Sequence, residues 1–311
     1  MGCGAAGQAQ GLTPISVPGE RVHPESFSIA PDGMAYVASL TGGVVRVSLR
    51  TGKGEQFLKA GAGGSASIFG VFADPVNKLL WVCSNDMSGR GVVIPGADKG
   101  THLKSFDLAT GAPKGSYALG ADSFCNDTAV AKDGTLYVTE TNKSHILRLK
   151  PGATALEDWH HDPAYAGEKG SGLDGIAMGG DGNLYVNNYQ SNVMARVEVK
   201  PDGTAGKTTV LQTPRPLASP DGLRSMGGLR FAQAESKGNV TVVTVNGDKA
   251  DVLTLGEGIF QPTTVDTFDG KLYYTAPQFE YVFNPQKRAE TPPPAQLTPI
   301  AIPAAGGHAH H

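Results

Sequence analysis

The chain of 311 residues reads as all-β, a six-bladed β-propeller with four antiparallel strands per blade closed by its N- and C-terminal strands. Three observations predict this. A turn-and-strand phrase recurs as Asp32-Gly33-Met34-Ala35-Tyr36-Val37, Asp133-Gly134-Thr135-Leu136-Tyr137-Val138, Asp181-Gly182-Asn183-Leu184-Tyr185-Val186 and Asp269-Gly270-Lys271-Leu272-Tyr273-Tyr274. Asp-Gly between apolar runs marks a hairpin, because the tight turn needs a positive φ. The units repeat at about 40 to 55 residues, the length of a four-stranded blade. Finally, Thr13-Pro14-Ile15-Ser16-Val17 and Thr298-Pro299-Ile300-Ala301-Ile302 are near copies, so one end completes a blade begun by the other.

Taken in order, the first unit opens at Glu25 and reaches its third strand at Val44 to Leu49. A divergent second unit has inner strands at Phe69 to Ala73 and Leu79 to Cys83. The third and fourth have third strands at His145 to Leu149 and Val193 to Val199, and the fourth adds an outer strand at Thr208 to Leu211. A fifth runs from Asp221 to Leu255 and a sixth from Pro262 onward, with Pro292-Pro293-Pro294 as an extended connector. No amphipathic helix pattern longer than two turns is present. Residues 12–303 form one propeller; residues 1–11 read as a disordered or leader-derived tail and 304–311 as a disordered His-containing tail.

Composition narrows the function classes. Net charge is −3, which gives no electrostatic case for nucleic acid. No apolar run approaches the roughly 18 residues of a membrane span. The reading is a small-molecule enzyme, monomeric or weakly oligomeric, either secreted or periplasmic with its leader removed, or else cytoplasmic. The three cysteines, Cys3, Cys83 and Cys125, are few and odd in number, which argues against a disulfide framework. Cys125 reads as buried packing, with a Cys83–Cys125 bond as the lesser alternative. Gly-x-Ser-x-Gly is absent, so no nucleophile elbow is expected.

Glu25, Asn126, Asp174 and Asp221 open their units at equivalent positions. Their separations of 101, 48 and 47 residues place them on blades 1, 3, 4 and 5. Strand A lines the channel, so the four converge near the axis, on the rim opposite the Asp-Gly turns. Singly, each fits a strand-end cap. Together they repel unless something positive joins them. Three carboxylates and an amide hold a dication at a net charge of about −1. The all-oxygen set favours calcium, then magnesium or manganese, with zinc a poorer match.

On the motifs His23-Pro24-Glu25-Ser26, Cys125-Asn126-Asp127, Leu173-Asp174-Gly175-Ile176 and Ser219-Pro220-Asp221-Gly222-Leu223, residues 12 to 302 resemble the senescence-marker-protein/gluconolactonase family of six-bladed propellers. They are similar, more distantly, to paraoxonases, diisopropyl fluorophosphatase and strictosidine-synthase-like proteins. The resemblance implies that Glu25, Asn126, Asp174 and Asp221 hold a catalytic divalent cation and that the chemistry is lactone or ester hydrolysis. Asp174 departs from the family, which usually has Asn there.

The implied mechanism has the metal polarise the carbonyl while a carboxylate activates water, Asp221 first and Asp174 second. His160 and His161, expected in the loop leading to Asp174, are further acid–base candidates. His23, Phe69, Phe124, Tyr189 and Asn85 are expected to contact substrate, Phe69 and Phe124 as an apolar wall. Asp86 to Thr101 reads as a lid-forming insertion. Two other readings stand beside hydrolysis. One is a metal-dependent lyase, isomerase or cyclase acting by proton abstraction, which the extra carboxylate of Asp174 favours. The other is a non-catalytic propeller that binds a ligand or protein.

Overall fold

The computed structural model describes residues 12–167 and 169–303; the expected tails and Cys3 lie outside them. Six sheets of four antiparallel strands surround a central channel. The chain enters through β1 (Ile15–Ser16). Blade 1 is β2 (Phe27–Ile29), β3 (Met34–Ala38), β4 (Val44–Ser48) and β5 (Gly54–Leu58). Blade 2 is β6 (Ser67–Asp74), β7 (Leu79–Asn85), β8 (Thr101–Asp107) and β9 (Pro113–Ala118). Blade 3 is β10 (Cys125–Val130), β11 (Leu136–Glu140), β12 (His145–Leu149) and β13 (Glu157–His160). Blade 4 is β14 (Leu173–Met178), β15 (Leu184–Asn188), β16 (Val193–Val199) and β17 (Ala205–Val210). Blade 5 is β18 (Pro220–Ser225), β19 (Arg230–Glu235), β20 (Asn239–Asn246) and β21 (Lys249–Gly256). Blade 6 is β22 (Thr264–Phe268), β23 (Lys271–Thr275) and β24 (Gln296–Ala301), with β1 as its outer strand.

The ring therefore closes as the terminal near-copies predict: Ile15 pairs with Leu297 and Ser16 with Gln296. The only α-helices among the described residues are single turns, α1 (Pro163–Ala166) and α2 (Glu280–Phe283). The Asp-Gly turns form as their chemistry demands. Gly33, Gly134, Gly182 and Gly270 have φ of 86°, 86°, 83° and 71°. Asp32 and Asp133 each accept the amide two residues on, at 2.9 Å.

The core is divided among the blades. Each neighbouring pair of blades buries its own wedge of side chains. Blades 3 and 4 bury Ile146, Ile176, Leu184 and Val186, while blades 6 and 1 bury Phe27, Val37, Tyr273 and Leu297. A ring built this way holds its inner strands at fixed spacing with no helix behind them.

One expectation is corrected. Cys83 and Cys125 form a disulfide, Cα to Cα 5.1 Å, joining β7 of blade 2 to β10 of blade 3. Cys83 lies on the second strand of its blade and Cys125 on the first strand of the next, so the bond staples two neighbouring blades across their seam.

Candidate functional site

The functional side chains reach the axis through a repeated backbone irregularity. In blade 3 the β10–β11 register shifts between Cys125 and Thr128, so Asn126 and Asp127 bulge out of the ladder. The same shift falls between Ile68 and Val71, between Leu173 and Ile176, and between Pro220 and Leu223. A bulge turns a side chain that would lie on a sheet face toward another direction. It leaves Asn126, Asp174 and Asp221 at one level, with Glu25 at the matching point of blade 1. Blade 2 places Phe69 there.

Neighbouring blades fix these residues by their backbones. Thr139 Oγ1 donates to the Asp174 carbonyl at 2.6 Å, and Asn187 Nδ2 to that of Asp221 at 2.7 Å. Thr263 and Thr264 hydroxyls donate to the Glu25 carbonyl at 2.6 and 2.9 Å. Each candidate carboxylate is thus set by the strand of the preceding blade.

The side chains surround a cleft too tight to hold a water-sized sphere, lined by Glu25, Ser26, Gly70, Asn126, Asp127, Asp174, Asp221, Gly222 and Thr264. Asn126 Nδ2 donates to Asp174 Oδ2 at 2.9 Å and to Thr141 Oγ1 at 3.1 Å. Glu25 and Asp174 are buried. Asp221 touches solvent at the narrow mouth yet lies deep within the ring of blades.

One residue that the sequence reading missed organises the floor of the cleft. Arg224, 4% exposed, donates from Nη1 to Asp127 Oδ2 at 2.5 Å and to the Leu223 carbonyl, and from Nη2 to the Val71 carbonyl. Asp266, equivalent to Arg224 in the repeat, accepts Ile29 N at 2.7 Å. The buried group therefore holds Glu25, Asp127, Asp174, Asp221 and Asp266 against a single guanidinium.

That imbalance governs protonation. Burial, then the Asp174 and Asp127 carboxylates, push Glu25 well above the usual carboxylate range. Burial and then Asp174 and Glu25 do the same to Asp221. Asp174 is pushed up to about 7 by burial and Asp127, against hydrogen bonds from Asp221 and Asn126.

The donor chemistry fits a hard dication, since carboxylate oxygens converge and their excess charge calls for a cation. The cage is not preformed: among the described residues no three His, Cys, Asp or Glu side chains stand at metal-holding spacing.

The other expected residues have different places. His160 ends the outer strand β13 and bonds Thr208 Oγ1 at 2.8 Å, and His161 Nδ1 contacts the Ser144 carbonyl at 3.1 Å. Neither lines the cleft, because the chain there extends blade 3 before it turns inward. Asn85 clamps Cys125, accepting its amide at 3.0 Å and donating to its carbonyl at 2.9 Å, so its polar atoms are committed to the backbone. Tyr189, half-buried in the blade 4 loop, accepts from Gln190 Nε2. Phe69 and Phe124 meet edge to face at 4.7 Å. His23 is buried nearby, and burial lowers it to about 4. A groove of about 990 Å³ lies on the opposite rim, among the turns of blades 3 to 5, where Asp133, Asp181 and Asp202 are spent on their own turns.

No protein-family profile and no curated protein matches this sequence. Solved structures do. The Malassezia sympodialis allergen Mala s 1 superimposes with a TM-score of 0.71 at 14% identity, over 96% of this chain and 98% of that one. The gluconolactonase XC5397 of Xanthomonas campestris superimposes at 0.64 and 18%, over 96% and 93%. The virginiamycin B lyase of Staphylococcus aureus does so at 0.60 and 15%, over 84% and 79%. At these identities the likeness is one of fold, and the chain has the six-bladed propeller that gluconolactonases share.

Proposed function

We propose that the chain is a divalent-metal-dependent hydrolase of lactones or related esters, acting at the upper mouth of its channel. The observation that supports this best is the convergence of Glu25, Asp174 and Asp221 with Asn126, while the one guanidinium below is already bonded to Asp127. Burying so much like charge is costly unless a cation or protons offset it. Glu25, Asp174, Asp221 and the Asn126 amide oxygen are the groups that would hold calcium, the hard dication such donors suit best. A cation bound there supplies a Lewis acid for the substrate carbonyl and for the developing oxyanion.

The remaining work belongs to the protein. Asp221 faces the mouth and takes the proton of the attacking water. Asn126 steadies Asp174 through Nδ2, and Thr139 and Asn187 hold the two carboxylate-bearing strands at fixed spacing.

A second reading keeps the metal and changes the reaction to proton abstraction, as in a lyase. The contact between Asp174 and Asp221 favours it, because one of two adjoining carboxylates can remain a base while the other serves as ligand. A non-catalytic binding propeller is the third outcome.

The test is elemental analysis and calcium calorimetry on protein dialysed without chelator, repeated on Glu25→Gln, followed by assays for lactone or ester hydrolysis and for elimination. One bound calcium, lost in Glu25→Gln, with metal-dependent hydrolysis supports the proposal. Metal-dependent elimination without hydrolysis selects the second reading. Absence of binding to calcium, magnesium or manganese rejects both and leaves the binding propeller.

A further inference from the structure

We propose that the carboxylate cleft is closed by a two-part lid and takes a substrate whose bulk is apolar, an alkyl- or aryl-substituted lactone or ester, with His23 as its hydrogen-bond partner. This rests on the channel mouth being a substrate site.

Four of the six loops joining the second and third strands of a blade are short: 39–43, 141–144, 189–192 and 236–238. Blade 2 instead has 86–100 and blade 6 has 276–295. Loops of that length in a compact fold usually carry function. The two meet. Arg288, in the blade 6 insertion, donates to the carbonyls of Arg90 at 3.0 Å and Gly91 at 3.3 Å in the blade 2 insertion. It also donates to the Val282 carbonyl at 3.0 Å. Arg21 ties the blade 6 insertion down through the Tyr281, Arg288 and Glu290 carbonyls at 2.9 to 3.0 Å. These are partly exposed, charge-to-carbonyl bonds, which water can replace when the insertions part.

The underside is carbon. Met87 and Val282 are buried against Leu40 and Phe69, with Phe124 and Phe283 packed beside them. Phe69 stands at the level of the carboxylates, so the apolar wall begins where the polar cluster ends. The cleft is too tight for a substrate until the lid lifts. Once lifted, it presents a surface that rewards hydrocarbon and leaves the hydroxyls of a sugar lactone without partners.

His23 is the exception. It is 1% exposed, and neither ring nitrogen makes a well-formed hydrogen bond among the described residues; its one weak backbone neighbour is Pro277 of the blade 6 insertion. Its carbonyl accepts Leu40 N at 3.3 Å, which sets it beside the apolar wall and under the blade 6 insertion. A buried imidazole without a well-formed partner is a site for one polar atom of a ligand.

Calorimetry with two inert, ring-matched lactams in calcium buffer tests this. One is the pentyl-substituted δ-lactam and the other is gluconolactam. The expected result is at least about tenfold tighter binding of the pentyl lactam. Phe69→Ser and Phe283→Ser should each erase most of that preference, His23→Phe should weaken the pentyl lactam, and Arg288→Ala should speed its association. Equal or tighter binding of gluconolactam, binding of neither, or phenylalanine substitutions without effect would overturn the proposal. Turnover is scored separately. Pentyl-lactam binding without lactone hydrolysis rejects the hydrolase and keeps the apolar site, and hydrolysis without apolar preference does the reverse.

Discussion

Arg224 Nη1 lies 2.5 Å from Asp127 Oδ2, and both side chains are only 5% exposed. This pair crosses the channel floor from blade 5 to blade 3, and through the Val71 carbonyl it reaches blade 2. Breaking one side of a buried pair strands the other charge. Arg224→Met is therefore expected to cost about 3–5 kcal/mol. Arg224→Met with Asp127→Leu should cost less than the two single changes summed. Urea unfolding at constant m-value measures both. Additive losses would mean that the pair is not coupled.

Stability should fall as pH rises in metal-free protein. Burial lifts Asp266 from its ordinary 3.8 to about 6, against the opposing Arg224. Asp174 rises from 3.8 to about 7. The folded chain holds these protons more tightly than the unfolded chain. Their contribution is full below about pH 4 and is lost as pH climbs through their folded values. For Asp266 the shift corresponds to about 3 kcal/mol at most. Asp266→Asn keeps an acceptor for Ile29 N but cannot ionise. Its Tm relative to the parent should rise between about pH 4 and pH 7. A flat difference would remove Asp266 from the account.

The disulfide should matter to stability and to the site. Cys83–Cys125 closes a loop of 42 residues, for which chain entropy gives about 4 kcal/mol. Cys125 also adjoins Asn126, and the Asn85 clamp holds the same residue. Cys83→Ala with Cys125→Ala should lower the urea midpoint by roughly that energy. It should weaken calcium binding less than Glu25→Gln does, because the Asn85 bonds remain. A mutant that unfolds with its parent would show the bond to be redundant.

The blades were legible because Asp-Gly turns and the Leu-Tyr-Val phrase repeat, and because both depend on local chemistry. Glu25, Asn126, Asp174 and Asp221 stood out as polar residues opening otherwise apolar strands. Phe69 fills the same ring position but looks like any strand residue, so the apolar side of the mouth was seen without its register. Arg224 was missed although it sits three residues after Asp221, the one basic residue in an inner strand that lines the site. Aligning the units one level deeper sets it opposite Asp266. The bulges leave no clear sequence mark, since they arise from how adjoining blades bond the backbone. His160 reads as loop because an outer strand and a loop have the same alternation of polar and aromatic residues; His161 lies in the loop after β13 but away from the cleft. The disulfide was underrated by a cysteine count that took no account of how the second strand of one blade lies against the first strand of the next.

Gly70 shows how closely blades 2 and 3 approach at the site. A Cβ there would lie 1.9 Å from the Asn126 carbonyl oxygen and 2.9 Å from its carbon, both backbone atoms that cannot rotate away. Gly70→Ala must therefore push β10 at the residue that carries a candidate ligand. Overpacking of this kind costs about 1–3 kcal/mol, occasionally more. Gly89→Ala is the control, since nothing lies within 4 Å of its added methyl and its φ is not in the left-handed region. It should stay within about 0.5 kcal/mol of the parent. Calcium calorimetry on folded Gly70→Ala should show affinity reduced at least about tenfold, which is about 1.4 kcal/mol. If Gly70→Ala is destabilised but binds calcium like its parent, Asn126 is not a ligand and the candidate set reduces to Glu25, Asp174 and Asp221.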